Sequence, residues 1–460
     1  MSERNLSEKS TVLLVVCLSA FSLPVMLSAT NVAIPIVANQ FSLSATQIAW
    51  IPMSYLMASV MFVLIFGSLA DVFGKKKVFL VGILVLCFSS IFVAFANSGT
   101  LLMLGRFLQG VGAAMLYATQ TALVSSVYPA TERGKAIGIT LSAVYLGLAV
   151  GPSLGGIIME YLSWRLNFVL HLPLTLIILV LLHKVPNDSE SRLLEEFKFD
   201  KTGASLYMAS IVLLCFGVSS LPNSNSLVLL SLFLITVALF VSHSLKHSFP
   251  IWNLRIFKNN KMLTKSCLAS YMMYSATYSN VVILSLYLQD LKQLSASQAG
   301  LIMSLQPATM AILSSVSGKL SDVIEPRLLA TLGMLIASCS LFTLSVLASS
   351  DVSMYFIAAL VLVGIGFSLF SSPNTNAIMS SVVKENYGLA ASTAASTRNL
   401  GQLSSIFLVS FSMSFIVGDQ LITREIFPSL LEAIELSFLI AGSLCMLGAI
   451  LSATRGKMHG

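Results

Sequence analysis

Three ionisable side chains lie deep within long apolar stretches of the chain: Arg106, His171 and Arg398. A charge in such a stretch is costly, so each is a candidate for binding a substrate or a proton. Histidine exchanges a proton near neutral pH, which makes His171 a candidate proton carrier. Two alternatives stay open. Arg106 lies near the start of its stretch and can reach the interface, and His171 can be a neutral histidine bonded to a neighbouring helix.

No acidic side chain lies deep in any of these stretches. The nearest carboxylates fall towards the ends of stretches: Glu160, Asp290, Asp351, Glu432 and Glu435. Glu160 and the Glu432/Glu435 pair can carry a proton only where water reaches them. A cavity with arginines and no buried carboxylate attracts cations poorly. We therefore expect a neutral, zwitterionic or anionic amphiphile as the ligand, rather than a permanent organic cation.

Other side chains in the apolar stretches are candidates to line an internal cavity. Amides are not tolerated against lipid and are expected to face the interior, and Gln109 lies one turn after Arg106 on the same helix face. For the apolar and aromatic members, packing against lipid or protein is an equal alternative. The set is Gln109, Asn31, Gln120, Asn374, Asn376, Met26 and Tyr55.

The composition indicates a polytopic membrane protein. Of the 460 residues, 56% are hydrophobic and 10% are charged, and the mean hydropathy is +0.89. Repeated apolar stretches of about 20 residues predict membrane-spanning helices. We count fourteen, which predicts an all-α fold of fourteen transmembrane helices. The six cysteines lie in apolar runs without metal-binding spacing, so no metal site, cofactor or catalytic group is expected.

The basic residues predict the orientation of the helices. Nearly all lie in segments on the side of the two termini, whereas the opposite loops hold only Arg165, Lys292 and Arg424. The positive-inside rule then places both termini in the cytoplasm, with the protein in the inner (cytoplasmic) membrane. The same asymmetry accounts for the net charge of +7 without a nucleic-acid partner.

An internal repeat divides the chain. The sequence 67–71 (GSLAD) resembles 318–322 (GKLSD), and the pair Gly110 and Gly112 matches the pair Gly364 and Gly366. Parallel repeats of this kind are a transporter architecture, with a binding site between the halves near the membrane midplane. The repeat predicts a six-helix bundle over 1–184, a loop and two inserted helices over 185–262, and a second six-helix bundle over 263–460.

One apolar stretch carries unusually many helix breakers: Gly138, Gly147, Gly151, Pro152, Gly155 and Gly156. Glycine costs roughly 1 kcal/mol against alanine inside a helix, and proline about 3 kcal/mol. Such residues persist in membrane helices where neighbouring helices satisfy the backbone and approach closely. The stretch predicts a kinked, tightly packed helix at an interface.

Several motifs together resemble those of one family. They are GSLADVFGKKKV at 67–78, RFLQGVGAA at 106–114, the spaced glycines of 138–156, Trp164-Arg165 with Phe199-Asp200-xx-Gly203, SSPNTNAIMSS at 371–381 and TRNLG at 397–401. The chain thus resembles the major facilitator superfamily, in particular its fourteen-helix drug/proton antiporter branch. The resemblance covers the first half well and the second half more loosely.

The resemblance implies roles for these residues. In the first motif it implies a charge latch that holds the halves together in one state, formed by Gly67, Asp71, Gly74 and Lys75 with Asp322 of the second half. The alternative is a solvated loop carboxylate, with the lysines serving topology alone. The resemblance also implies that Arg106 faces the cavity and that the glycine-rich helix seals the interface between halves. It further implies that the protein is a monomer and that protons are the coupling ion.

The first helix departs from the family pattern. An acidic residue usually precedes the sequence Asn-Val-Ala-x-Pro, which is present here at 31–35, but the corresponding position is Met26. We therefore expect an exporter of drugs or amphiphilic metabolites that works by alternating access, whose proton coupling does not follow from its motifs alone. The alternatives are a dedicated exporter of one metabolite, such as a siderophore or an antibiotic, and a non-transporting receptor. A membrane-embedded enzyme is disfavoured because no catalytic motif appears.

Overall fold

A computed structural model describes residues 3–185, 199–258, 260–321, 323–349, 351–382 and 387–456. Within these ranges the chain is helical, and strand pairing is limited to an isolated bridge between Ser44 and Leu421. The helices are α1 (Glu3–Gln40), α2 (Ala45–Phe73), α3 (Lys75–Ala94), α4 (Gly99–Val127), α5 (Ala130–Tyr161), α6 (Trp164–Val169), α7 (Leu172–Leu182), α8 (Lys201–Ser219), α9 (Ser224–Lys246), α10 (Lys261–Thr277), α11 (Asn280–Leu286), α12 (Ala296–Leu320), α13 (Pro326–Leu347), α14 (Met354–Ser380), α15 (Tyr387–Ser412) and α16 (Phe427–Ala453).

The described residues hold 13 helices long and apolar enough to cross a membrane, with α6 and α7 counted together. The predicted all-α polytopic fold is therefore confirmed. The predicted span 263–288 corresponds to α10, α11 and a π-helical turn at 287–291, each too short to cross alone. The helix breaks where the backbone N–H of Ser279 donates to Ser405 Oγ of α15, at 2.8 Å. Fourteen spans remain a prediction.

Local sequence signals set several helix ends. Ser44 and Ser295 each form a capping box with the glutamine three residues later, at the starts of α2 and α12. Between α2 and α3, Gly74 adopts a φ of 96°, a conformation that favours glycine. This glycine ends one helix and lets the next begin immediately.

Asp200 caps α8 by accepting a 2.8 Å hydrogen bond from the backbone N–H of Gly203. Burial alone would raise the pKa of Asp200. The hydrogen bonds from Gly203, from His243 and from the backbone N–H of Ile251 outweigh that effect and hold the pKa below its usual range. The carboxylate is therefore ionised at neutral pH.

The helices pack in two groups, a first group of α1 to α7 and a second group of α10 to α16, joined by the α8–α9 hairpin. In the first group α1 packs on α5, and α4 packs on α2 and α3. In the second, α13 packs on α14 and α16, and α10 packs on α15 and α16. The α8–α9 hairpin contacts α2 of the first group and α15 of the second through α8. Between the groups, α5 packs along α12 and α2 along α15.

The repeated glycines occupy equivalent places in the two groups. A Cβ at Gly110 of α4 would collide with the Tyr55 carbonyl of α2, and one at Gly364 of α14 would collide with the Gln306 carbonyl of α12. Gly112 and Gly366 show the same relationship to α3 and α13, respectively. Each half thus contains a three-helix unit in which the same glycine pair permits two close approaches.

Candidate functional site

Arg106 lies in the protein interior, with 1% of its surface exposed. Its Nε donates to the Ile51 carbonyl of α2 at 3.4 Å, and its guanidinium lies 4.7 Å from the centroid of the Tyr55 ring. A side chain that reached the interface would be exposed, so this arginine faces inward. A guanidinium over an aromatic ring at this distance forms a cation–π interaction, which is stronger in a buried pair than in an exposed one.

A chain of polar contacts leads from Arg106 to His171. Arg106 Nη1 donates to Gln109 Oε1 at 2.8 Å, and Gln109 Nε2 donates to Ser90 Oγ of α3 at 2.8 Å. Ser90 Oγ lies 3.4 Å from His171 Nε2, at the junction of α6 and α7. All four side chains are buried. We call this chain the Arg106–His171 network.

Met26 of α1 contacts the middle of this network. Its Sδ lies 3.6 Å from Gln109 Nε2 and 3.9 Å from Ser90 Oγ. The structure therefore brings together five of the residues singled out from sequence, namely Met26, Tyr55, Arg106, Gln109 and His171. Helices α1, α2, α4 and the α6–α7 junction each supply at least one of them.

The charge of Arg106 is surrounded by neutral groups. Its electrostatic neighbours are the phenols of Tyr55, Tyr278 and Tyr117. Within the described ranges, no carboxylate forms an ion pair with it. A buried guanidinium without a counter-ion favours an incoming anion or hydrogen-bond acceptor. Arg398 of α15, half-buried, lies within electrostatic range of Tyr117 from the second group.

Aromatic rings extend this environment between the two groups of helices. The hydroxyl groups of Tyr55 and Tyr117 lie 3.2 Å apart. The hydroxyl of Tyr145 on α5 lies 2.8 Å from Ser371 Oγ of α14. The Tyr145 ring meets the Phe367 ring edge-on, with centroids 6.3 Å apart. The region between the groups therefore combines two arginines with several phenol rings.

Sequence reasoning missed most of these tyrosines. Tyr117 was detectable, because it follows Arg106 by about three helical turns and so lies on the same face of α4. Tyr145 and Tyr278 reach the region from α5 and the α10–α11 break, and no spacing links them to Arg106. Ser90 likewise joins the network only through tertiary packing.

The remaining amides predicted to line the cavity lie elsewhere. Asn31 is buried on α1, and Gln120 Nε2 donates to Ser19 Oγ at 2.8 Å within the first group. Asn374 Oδ1 accepts a 2.6 Å bond from Nη1 of the buried Arg455, and Asn376 Nδ2 donates to Ser321 Oγ at 3.3 Å. These bonds join neighbouring helices. None of these contacts belongs to the Arg106–His171 network.

The residues of the predicted latch lie around the α2–α3 turn. Asp71 is exposed near the end of α2, and Lys75 begins α3 directly after Gly74. A Cβ at Gly67 would meet no atom within 4 Å. Asp322 lies outside the described residues, so the latch remains a prediction.

The glycine-rich stretch occupies the part of α5 that lies between α1 and α12. A Cβ at Gly147, Gly151 or Gly155 would collide with atoms of α1. A Cβ at Gly156 would collide with the Ala296 carbonyl of α12. The glycines therefore allow α5 to approach one helix of each group, as predicted for a tightly packed interface.

The close approaches at glycines are confined to the second half of α5. Pro152 is buried, and its carbonyl faces Gly300 of α12. Ser153 Oγ lies 2.8 Å from Ser304 Oγ of α12. Gly138, nearer the start of α5, is exposed, and a Cβ there would meet no atom within 4 Å.

Polar contacts between the groups cluster where α5 ends, which we call the distal end. Glu160 Oε2 accepts bonds from Ser295 Oγ at 2.9 Å and from the backbone N–H of Ser297 at 3.2 Å. The backbone N–H of Ala45 donates to the Gln420 carbonyl at 3.0 Å. These contacts hold the first and second groups together at the distal end.

The chain belongs to the Major Facilitator Superfamily, whose family model matches residues 16–406. It is 29% identical to the riboflavin transporter RibZ of Clostridioides difficile (strain 630) over 97% of each chain. It is also 29% identical to the multidrug resistance protein Stp of Mycobacterium tuberculosis, over 81% of this chain and 70% of that one. The same fold occurs in a bacterial homologue of the human lysosomal transporter Spinster, solved in an inward-facing and unoccupied conformation. The two structures superpose with a TM-score of 0.71 at 15% identity, over 99% of this chain and 97% of that chain. The protein is thus a polytopic membrane transporter and not an enzyme.

Proposed function

We propose that this protein is a secondary active exporter of small aromatic amphiphiles that are neutral, zwitterionic or anionic. The observation that carries the proposal is the buried guanidinium of Arg106, which lies among phenols with no described carboxylate paired to it. A substrate anion or acceptor would supply the missing partner. The tyrosines nearby offer flat apolar faces with hydroxyl groups at their edges.

The names of two relatives support a small organic molecule as the substrate. One is named a multidrug resistance protein and another a riboflavin transporter. The second name supports a specific alternative, namely a dedicated exporter of one endogenous metabolite. Efflux breadth separates the two: export of a single compound from a chemically varied panel favours the dedicated exporter.

We further propose that export is coupled to protons through His171. His171 is the last member of the Arg106–His171 network, and Met26 contacts the middle of that network. The family resemblance predicts an acidic residue at position 26, where this chain has methionine. Ser90 and Gln109 link the imidazole to Arg106. Protonation of His171 would add a second positive charge near the site, and the rearrangement of this chain would connect proton binding to substrate binding.

Alternating access is supported by the uneven contact between the groups. Bonds join them at the distal end and, through Tyr145 and Ser371, at the middle of α5, whereas Gly138 near the start of α5 has open space beside it. We propose that the protein lies in the inner membrane with both termini in the cytoplasm and the distal end facing outward. We also propose that the α10–α11 segment crosses the membrane, which brings the number of spans to fourteen. This arrangement corresponds to a state open to the cytoplasm.

Reconstituted transport with an imposed pH gradient tests the coupling. The wild type is expected to accelerate flux when protons can move opposite to substrate, and His171→Ala is expected to lose that response. His183→Ala, altered at an exposed histidine after α7 and outside the network, serves as the matched control and keeps the response. Flux of the wild type that ignores the gradient would exclude antiport and leave facilitated export.

A further inference from the structure

Three side chains with metal-binding atoms meet where the α8–α9 hairpin ends, apart from the Arg106–His171 network. They are Asp200, at the start of α8, and His243 and His247, one turn apart at the end of α9. One ligand atom from each lies within 4.8 Å of the others. His243 Nε2 lies 2.7 Å from Asp200 Oδ1, and the two imidazole rings are stacked with centroids 5.0 Å apart.

From this arrangement we propose that Asp200, His243 and His247 bind a divalent transition-metal ion of the Zn²⁺ class. Imidazole nitrogen and carboxylate oxygen are both good ligands for zinc. Two histidines and one carboxylate leave a fourth tetrahedral position for water. The side chains of His243 and His247 are partly exposed, so an ion can enter from solvent.

Binding requires small shifts of the ligands. Tetrahedral ligands of zinc are separated by about 3.4 Å, given metal–ligand distances near 2.1 Å. The His243–Asp200 pair must therefore open and the wider pairs must close. His247 must release the 3.2 Å bond that its Nδ1 accepts from the backbone N–H of Phe249, whether it binds through Nδ1 or, as the other tautomer with its proton on Nδ1, through Nε2. Rotations of side chains near a helix end can provide both changes.

The guanidinium of Arg255, in the segment after the cluster, is directed at the backbone. Arg255 Nε donates to the Leu245 carbonyl at 3.0 Å, and its Nη2 donates to the His247 carbonyl at 2.8 Å. This pairing holds the guanidinium at the carbonyls that end α9. The backbone N–H of Ile251 donates to Asp200 Oδ2 at 3.3 Å, so the following segment folds over the cluster and supports its geometry.

An ion at this position would fasten α8 to α9 beside the boundary between the two groups. Tyr207 of α8 donates to the Val60 carbonyl of α2 at 3.2 Å, and α8 also packs on α15. The proposal does not depend on the transported substrate. The bound ion would stabilise the hairpin, and it would do so whether or not the exporter function holds.

Zinc titration of the full-length protein in nanodiscs tests the proposal, with a purification tag that contains no histidines. We expect one Zn²⁺ per chain by calorimetry, together with a rise in melting temperature. His247→Ala and His243→Gln should weaken binding at least about tenfold and remove the thermal shift. Asp200→Asn keeps a side chain able to cap α8 and should also weaken binding.

His183→Ala is the matched control, because His183 is exposed after α7 and lies outside the cluster. It should leave zinc binding unchanged. Melting curves without zinc identify any variant that fails to fold, and His247→Ala, which leaves the His243–Asp200 bond in place, is the least disruptive. Zinc binding that is equally tight in the wild type and in the His243→Gln/His247→Ala double variant would overturn the proposal, as would absence of binding by the wild type.

Discussion

The sulfur of Met26 lies 3.6 Å from Nε2 of Gln109, so an apolar side chain of α1 contacts the centre of a buried polar network. Gln109 in turn accepts a bond from Arg106. A carboxylate at position 26 would lie one side chain away from this arginine, close enough to offset its charge in a buried site. Methionine leaves the positive charge available to a substrate.

Met26→Glu is therefore expected to weaken transport of anionic substrates. The new carboxylate would compete with the substrate for the Arg106 network, and like-charge repulsion would add to the effect. We expect the KM for an anionic aromatic substrate to rise about tenfold, which corresponds to roughly 1.4 kcal/mol. Met26→Gln, of the same size and uncharged, is the control and should change the KM much less. Equal effects of both variants would indicate a packing defect.

Ser90→Ala tests the connection between the arginine and the histidine. The hydroxyl of Ser90 is the group that links Gln109 Nε2 to His171 Nε2. Its loss is expected to reduce the response of transport to a pH gradient while the KM without a gradient stays within about twofold, since Arg106 keeps its bond to Gln109. Ser89→Ala is the neighbouring control, because Ser89 Oγ bonds only backbone carbonyls of its own helix. A full pH response in Ser90→Ala would show that the proton follows another route.

Gly156 and Gly138 provide a comparison within one helix. A side chain at Gly156 would collide with the Ala296 carbonyl, whereas one at Gly138 has open space. Overpacking typically costs about 1–3 kcal/mol. Gly156→Val should therefore lower the melting temperature by several degrees and reduce transport, and Gly138→Val should leave the melting temperature nearly unchanged. Similar losses of stability for both variants would contradict the described packing of α5.

The sequence predicted most of what depends on composition and on local spacing. The apolar stretches predicted the helices, and the glycine pattern predicted the close packing of α5. The spacing of Arg106 and Gln109 predicts that they share one face of α4, and the structure joins them by a hydrogen bond. The broken helix over 261–291 was predicted as continuous, because the bond from Ser279 to Ser405 arises only in the folded bundle.

Tertiary partners were the main limit on predicting the site. An amide within an apolar stretch must face the interior, but its sequence does not say which group it meets. Asn374 thus binds the buried Arg455, which the sequence indicated only as a basic residue after the last span. Asp200 and His243 are separated by 43 residues and come together only through the α8–α9 hairpin. For that reason no metal site was expected from spacing.

Arg106 is proposed to select against permanent cations and to bind anionic or neutral aromatic substrates. The most direct test measures flux into proteoliposomes of two dyes with the same aromatic core, one carrying a sulfonate and the other a quaternary ammonium group. We predict transport of the anionic dye and a loss of about 10- to 100-fold in kcat/KM for Arg106→Gln, the range expected when a charged hydrogen bond worth about 1.5–3 kcal/mol is removed. Strong transport of the quaternary ammonium dye that is unaffected by Arg106→Gln would contradict the account.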